Sequence, residues 1–459
     1  MRIVHLSAAD CIGGAARAAF RLHLGLLAAG HDSAMVVGRK ASDLPSVHAV
    51  PHGPSLRDKA WDVIALEEIH RNLTPLAGSH FSFARTGVDV ADHPVVRGAD
   101  VLHLHWVTEF QSPPTLRRLQ AVGMPIVWTL HDERAFTGGC HYTAGCAGFE
   151  TDCAGCPQIR DNPHEFPAAA LADQCAALDS ARLTVVAPSR WLADCARRSR
   201  MFREASVQVI PYGLETEVFA PRERAEARTA LNLPRDGLLV LFGADNPNEK
   251  RKGFLLLMDA LQRCAGDAEF GRRLRAGEIT LVSFGPPEIA AQFPELRIRT
   301  LGYVQSDARM AAAYAAADLF VLSSTEDNLP NTLLEALSCG TPSVAFDMGG
   351  APDAITDGVT GRIVAPSGDP AALAAAILAL TLDPHALGAM RAACRADAER
   401  RFALAHQAAA YAALYAGLRP GAVSAPPASA RLEQLFPRLL ARSLRSLPRR
   451  IANKLRRLS

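Results

Sequence analysis

LFVLSSTEDNLPNTLLEALSCGTPSVAF, residues 319–346, is the stretch on which the fold turns. It opens with the run 319–322 and closes with 343–346, each short and apolar enough for a strand buried on both faces. Residues 332–338 carry a helical pattern, and Pro330 suits the first turn of that helix, where a missing N–H costs nothing. Strand, helix and strand in that order imply parallel neighbours covered by the helix.

The same alternation extends in both directions. Residues 2–6, 34–38, 101–105, 126–130 and 183–187 read as buried strands, and 15–29 as a helix stopped by Gly30. A second series is predicted at 207–210, 238–243, 279–284, 298–301, 319–322, 343–346 and 362–364, with helices at 254–264, 308–316, 332–338 and 371–380. Two such series predict two doubly wound α/β domains, 1–205 and 206–400. Ligands of such sheets bind beyond the carboxyl ends of the strands, and the cleft between domains is the expected place. Residues 401–418 are expected to form a helix returning to the N-terminal domain. Residues 419–430, rich in Pro, Ala and Ser, read as a linker. Residues 51–93 have weak periodicity and receive no assignment.

Of the 459 residues, 49% are hydrophobic and 21% charged, a composition that excludes a disordered chain. No stretch approaches the roughly 20 apolar residues that span a bilayer. The start, MRIVHLSAAD, lacks the apolar core and cleavage site of a signal peptide, so a cytoplasmic location is expected. The net charge of +2 hides an asymmetry. Residues 431–459 hold nine Lys/Arg and one Asp/Glu, leaving 40 basic and 46 acidic residues in the body.

Several loops carry chemistry. Gly13-Gly14 follows the first strand and opens a helix, where backbone can approach a ligand and anions are favoured. The pattern is not G-x-G-x-x-G, which disfavours a dinucleotide dehydrogenase. His131-Asp132 stands at the carboxyl end of a strand, where a histidine can bond a sugar or move a proton. Arg251-Lys252-Gly253 precedes an apolar helix, and cations beside a helix N-terminus suit a diphosphate. Lys250 reads as solvated charge. Asp327 and Glu335, seven residues apart, flank Asn331-Thr332 near a helix N-terminus. Each of these has an ordinary reading as a turn, a satisfied loop residue or solvated charge.

Together these residues resemble the family 4 glycosyltransferases. The likeness covers most of residues 1–415 and includes Asp347-Met348-Gly349-Gly350 and Asp357-Gly358-x-Thr360-Gly361. The form Glu-Asp-Asn-Leu-Pro-Asn-Thr and residues 131–157 resemble a subgroup that builds bacterial exopolysaccharide and O-antigen. The resemblance implies the α/β GT-B architecture, two facing Rossmann-like domains with parallel sheets and an inter-domain cleft. It also implies retaining transfer from a nucleotide diphosphate sugar, with a UDP- or GDP-sugar as donor. The expected acceptor is a saccharide or lipid-linked saccharide. His131, Lys252, Arg251 and Asp327 take catalytic positions by resemblance, and Gly13, Gly14, Lys252, Asn331, Thr332 and Glu335 bind donor. The family arginine usually follows the strand glycine, which here is Ala244, and Arg251 stands in for it. The first family glutamate is here Asp327, one methylene shorter. No catalytic cofactor and no nucleic-acid partner are expected. A nucleotide-sugar epimerase and a binding protein without turnover are the alternatives.

Two features fall outside that likeness. Cys140, Cys146, Cys153 and Cys156 lie in a glycine-rich stretch within an insert at 138–158, and the C-x-x-C spacing of the last pair suits a structural zinc. Free buried thiols and a stress disulfide are the other readings, and His141 is a substitute ligand. Residues 431–459 space leucines at three and four among arginines and lysines, the pattern of a helix on an anionic membrane surface. The location then becomes peripheral, on the cytosolic face of the inner membrane. A tail docked on the acidic body or left in solvent is the competing reading.

Overall fold

The computed structural model describes residues 1–50, 56–161, 165–243, 246, 249–420, 429–435 and 437–438. Ala244, the core of the linker at 421–428 and the tail from 439 onward lie outside the described residues. The chain divides into two units. The first holds Met1–Pro188, Leu192–Ile210 and Ala408–Ser459, and the second Ser189–Trp191 and Pro211–Gln407.

The first unit is built on strands β1 (Arg2–Ala9), β2 (Asp32–Arg39), β3 (Val47–Ala49), β4 (Val101–Leu104), β5 (Ile126–Thr129), β6 (Leu183–Ala187) and β7 (Ser206–Val209). All pair in parallel, in the order β3-β2-β1-β4-β5-β6-β7. The order reverses between β1 and β4, the switch point where such sheets hold ligands. Ile3, Val4, Leu6, Leu102, Leu104 and Val127 are fully buried, each contributing about 1.5–3 kcal/mol by leaving water. β7 pairs with β6. The strand expected at 207–210 as the first of the second series is therefore the edge of the first sheet, and the division falls after Ile210 rather than after residue 205. A short apolar run looks the same at the edge of either sheet, so hydropathy could not assign it.

The unassigned region contains a helix, Leu56–Asn72. Its Trp61, Ile64, Ala65 and Ile69 are buried with Phe81, Phe166 and Leu432. The helix Leu404–Gly417 reaches the first unit from Ala408 onward. Its Tyr411 hydroxyl lies 2.7 Å from Thr129 Oγ1, and its Tyr415 hydroxyl 2.7 Å from His103 Nδ1. Without those partners two buried phenols would each pay a desolvation cost of about 1–3 kcal/mol.

The start of the expected tail is docked. The Asp173 carboxylate accepts from Ser429 Oγ at 2.6 Å and from the backbone N–H groups of Arg431 and Leu432 at 2.8 and 2.9 Å. Leu432 is buried, and Arg85, which stacks over Trp61, pairs with Glu433. This corrects the division at 430: the linker's last residues and the tail's first turn belong to the packed body.

The second unit carries β8 (Leu238–Gly243), β9 (Ile279–Phe284), β10 (Arg299–Thr300), β11 (Leu319–Leu322), β12 (Ser343–Phe346) and β13 (Gly361–Val364). They too are parallel, in the order β10-β9-β8-β11-β12-β13, reversing between β8 and β11. The helix Asn331–Ser338 buries Leu333, Leu334 and Leu337 against this sheet. Arg395 donates to the carbonyl of Ser338 at 3.0 Å, which places a cation at the helix C-terminus where the backbone dipole favours one. No single helix among the described residues is long and apolar enough to cross a membrane.

Candidate active site

In the second unit the loops after β8, β11 and β12 converge. Lys252 Nζ lies 2.6 Å from Asp327 Oδ2, and Arg251 Nη1 lies 3.3 Å from the same oxygen. Arg251 also pairs with Glu249 at 2.8 Å. The loops are locked by backbone: Thr325 N–H donates to the Arg251 carbonyl at 2.7 Å, and Ser323 Oγ to the Lys252 carbonyl at 2.9 Å. Burial pushes the Asp327 carboxyl up, but Lys252 and Arg251 more than offset it and hold it down at about 2. Arg251, Lys252, Glu249 and Asp327 therefore form a neutral quartet of formal charges. Lys250 is exposed.

Two helices begin beside this quartet. Gly253 caps Phe254–Gly266 and Pro330 caps Asn331–Ser338, and neither cap makes a side-chain bond. Such N-termini favour an anion. Asn331 and Thr332 are half-buried in the first turn of the second helix. Glu335 is buried one turn further on, accepting from the Tyr314 hydroxyl at 3.3 Å. The 347–350 loop lies against the Asp327–Asn328 backbone, with Gly350 N–H donating to the Asp327 carbonyl at 3.2 Å. Asn328, which the sequence did not single out, is buried and accepts from Ser189 Oγ at 2.8 Å. The Asp327–Glu335 spacing thus joins a loop carboxylate paired with cations to a helix carboxylate held by a phenol.

The first unit gathers its own set at the ends of β1, β4 and β5. Gly13 has φ +89° and caps the helix Gly14–Ala28, a conformation that favours glycine. Asp10 accepts from the N–H groups of Cys11, Ala41 and Ser42 at 2.8, 2.9 and 2.8 Å, tying the loop after β1 to the loop after β2. His131 is buried at the end of β5, its Nε2 3.1 Å from His105 Nδ1. Burial drives its imidazole down to about 4 against a smaller opposing pull from Asp132, so the ring is neutral at pH 7. It can offer a hydrogen bond but not a resident positive charge. Asp132 is held by Trp106 Nε1 at 2.9 Å, His141 Nδ1 at 2.7 Å and the Arg134 N–H at 3.0 Å.

Cys140, Cys146, Cys153 and Cys156 line one small cavity with Phe81 and Phe149. None is in a disulfide. Burial raises the Cys140 thiol well above its usual range and the Cys153 thiol to about 12. Among the described residues, the set of three ligating groups whose donor atoms all lie within 4.8 Å of one another is His5, His103 and His105, and the cysteines do not form one. His141 cannot replace a cysteine, because its second nitrogen is spent on Ser82 Oγ at 2.9 Å and its first on Asp132.

Residues 237–383, which carry the quartet and both helices, match the family described as Glycosyl transferases group 1. Over these residues the chain is similar to the group 1 glycosyl transferases. The D-inositol 3-phosphate glycosyltransferase of Actinosynnema mirum is 35% identical to this chain over 174 residues, 35% of this chain and 40% of that protein. The same-named protein of Segniliparus rotundus is 32% identical over 222 residues, 48% of this chain and 49% of that one. The chain thus spans about half or less of the length of these curated relatives. Over the whole fold, Anabaena HepE in complex with UDP and glucose matches with a TM-score of 0.59 at 19% identity, covering 91% of this chain and all of that one. WaaG, a glycosyltransferase involved in lipopolysaccharide biosynthesis, matches with a TM-score of 0.60 at 16% identity over 91% of this chain. The two parallel sheets of this chain are those of the α/β GT-B architecture.

Proposed function

We propose that this chain is a retaining glycosyltransferase that moves a sugar from a nucleotide diphosphate sugar to a saccharide acceptor. The observation that carries the reading is Lys252 and Arg251 on one Asp327 oxygen beside two helix N-termini at the switch point of the second sheet. A diphosphate entering there competes with Asp327 for the two cations. It then gains charge as the glycosidic bond breaks, so the cations bind the transition state more strongly than the ground state. The leaving diphosphate takes the acceptor proton on the same face of the sugar, and no protein carboxylate needs to form a covalent intermediate. Fixed cations do the electrostatic work otherwise given to a divalent metal. Glu335 is the carboxylate proposed for the nucleotide ribose.

HepE was crystallised with UDP and glucose, which favours a UDP-sugar over a GDP-sugar. The test is turnover with UDP-, GDP- and ADP-sugars, read as sugar on acceptor, epimerised nucleotide sugar, or binding alone. Transfer is expected. Epimerised product or thermal stabilisation without turnover would replace the reading by one of its alternatives.

The acceptor proposed is a lipid-linked saccharide for cell-surface polysaccharide, supported by the WaaG likeness and by the basic C-terminus. Residues 439–459 contain seven Lys/Arg and no Asp/Glu, and each cation near an anionic surface contributes on the order of 1 kcal/mol. Because residues 429–435 are part of the body, the informative deletion removes only 439–459. The full chain is expected to co-sediment with anionic vesicles at low salt and much less at high salt, and the shortened chain to stay in solution. Equal sedimentation by both would discard the tail as anchor.

A structural zinc on Cys140, Cys146, Cys153 and Cys156 is a separate proposal, supported by their convergence on one cavity. Their sulfurs would have to rotate inward to share an ion. Elemental analysis is expected to give one zinc per chain, and a metal-free folded protein ends the idea.

A further inference from the structure

Five hydrogen bonds link six side chains through the interior of the first unit. Ser46 Oγ lies 2.9 Å from His23 Nε2, and His23 Nδ1 lies 2.7 Å from Ser33 Oγ. Ser33 Oγ lies 3.2 Å from His5 Nε2, His5 Nδ1 2.9 Å from His105 Nε2, and His105 Nδ1 3.1 Å from His131 Nε2. The topology makes the line: β1 lies between β2, which carries Ser33, and β4, which His105 follows, and β5 leads into His131. His5, His23, Ser33 and His105 are all buried.

Burial holds His5, His105 and His131 far enough below their ordinary range that each ring is neutral at pH 7. A neutral imidazole has one N–H and one bare nitrogen. His5 and His105 each spend both nitrogens in the line, so a ring that donates at one end must accept at the other. If His5 donates from Nδ1, His105 accepts on Nε2 and donates from Nδ1, and His131 accepts on Nε2 and keeps its proton on Nδ1. If His131 donates from Nε2, His105 carries its proton on Nε2, and so does His5, which then donates to Ser33. Any mixed pattern sets two N–H groups or two lone pairs face to face at about 3 Å, inside a core where an unmade hydrogen bond costs about 1–3 kcal/mol.

We propose that His5 and His105 are positioning residues that fix which nitrogen of His131 carries its proton, with Ser33 setting the direction of the line. His103 stands outside the line although its ring is 4.0 Å from that of His105, because its nitrogens are taken by Thr129 Oγ1 and the Tyr415 hydroxyl, each at 2.7 Å. That occupancy also argues against a metal on His5, His103 and His105. The consequence for sugar transfer rests on the function proposed above, whereas the coupling of the three rings does not.

The test is nitrogen NMR of the full chain labelled with 15N-histidine and without donor, each ring assigned by the loss of its signals in the matching His→Gln chain. In the natural chain His5, His105 and His131 are expected to be protonated on the same nitrogen, all Nδ1 or all Nε2. In Ser33→Ala the His5 Nε2 faces a methyl group, so the proton is expected on Nδ1 in all three rings, and Ser33→Thr restores the natural pattern. Different nitrogens within the natural trio overturn the proposal even if neither Ser33 variant folds. So does Ser33→Ala with all three on Nε2, or a stoichiometric metal bound to these rings. Because no turnover is read, a failed transfer assay leaves this result standing, and the converse holds.

Discussion

Replacing Lys252 by alanine is expected to lower transfer about a hundredfold or more, the usual scale of about 3 kcal/mol for losing one preorganised contact to developing charge. The quartet makes the loss larger than that of an isolated cation. With Lys252 present, Arg251, Lys252, Glu249 and Asp327 sum to zero, and Lys252 lies 2.6 Å from Asp327. Without it the group carries a net negative charge where the diphosphate is proposed to enter, so donor binding and the chemical step are both expected to suffer. Asp327→Asn reverses the sign. It releases Lys252 and Arg251 from the Asp327 carboxylate while Arg251 keeps Glu249, and UDP is expected to bind more tightly while turnover falls, because the carboxamide no longer holds the two cations together. Glu335→Ala, at the carboxylate proposed for the ribose, should cost at least about tenfold. Steady-state kinetics at limiting donor, UDP affinity and circular dichroism separate these effects. Near-normal turnover of a folded Lys252→Ala chain would remove Lys252 from the reaction.

The second large effect is on folding. Gly349 has φ +46°, and a Cβ there would sit 1.7 Å from the Asp327 carbonyl oxygen. Gly349→Ala is therefore expected to cost about 2–5 kcal/mol, from about 1–3 for overpacking and about 1–2 for the left-handed backbone. Gly358 supplies the matched control: its φ is +75°, but nothing lies within 4 Å of its Cβ position, so alanine there meets only the backbone term. Urea unfolding should place Gly349→Ala well below Gly358→Ala. Equal midpoints would mean that the 347–350 loop yields freely and does not brace Asp327.

Four strands of the second unit were legible because each is almost wholly buried and reads as an apolar run: 238–243, 279–284, 319–322 and 343–346 coincide with β8, β9, β11 and β12. The helix Leu56–Asn72 was not, although Trp61, Ile64, Ala65 and Ile69 mark one face, because charged residues intervene at nearly every turn. The loops that carry Lys252 and Asp327 were singled out one by one, but not that Asp327 would hold Lys252 and Arg251. Spacing along a chain says which residues share a loop, and nothing about which loops meet. The histidine line was hidden for the same reason. His5 and His105 stand 100 residues apart, and only the pairing of β1 with β4 brings them together. The one local signal was a histidine inside an otherwise apolar strand, at His5 and again at His103.

The return of residues from Ala408 to the first unit has a consequence for how the chain is made. Thr129 is bonded to Tyr411 across 282 residues of sequence, and His103 to Tyr415 across 312. A nascent chain emerges from the ribosome N-terminus first and folds in domains as they become complete. The second unit needs nothing beyond Gln407, so it can close while the C-terminus is still being synthesised. Until Tyr411 and Tyr415 arrive, Thr129 and His103 sit at an open seam in a sheet whose strands left the ribosome hundreds of residues earlier. The unit translated first is the one completed last, and a chain halted before residue 411 carries an unfinished surface that a chaperone or a protease can read.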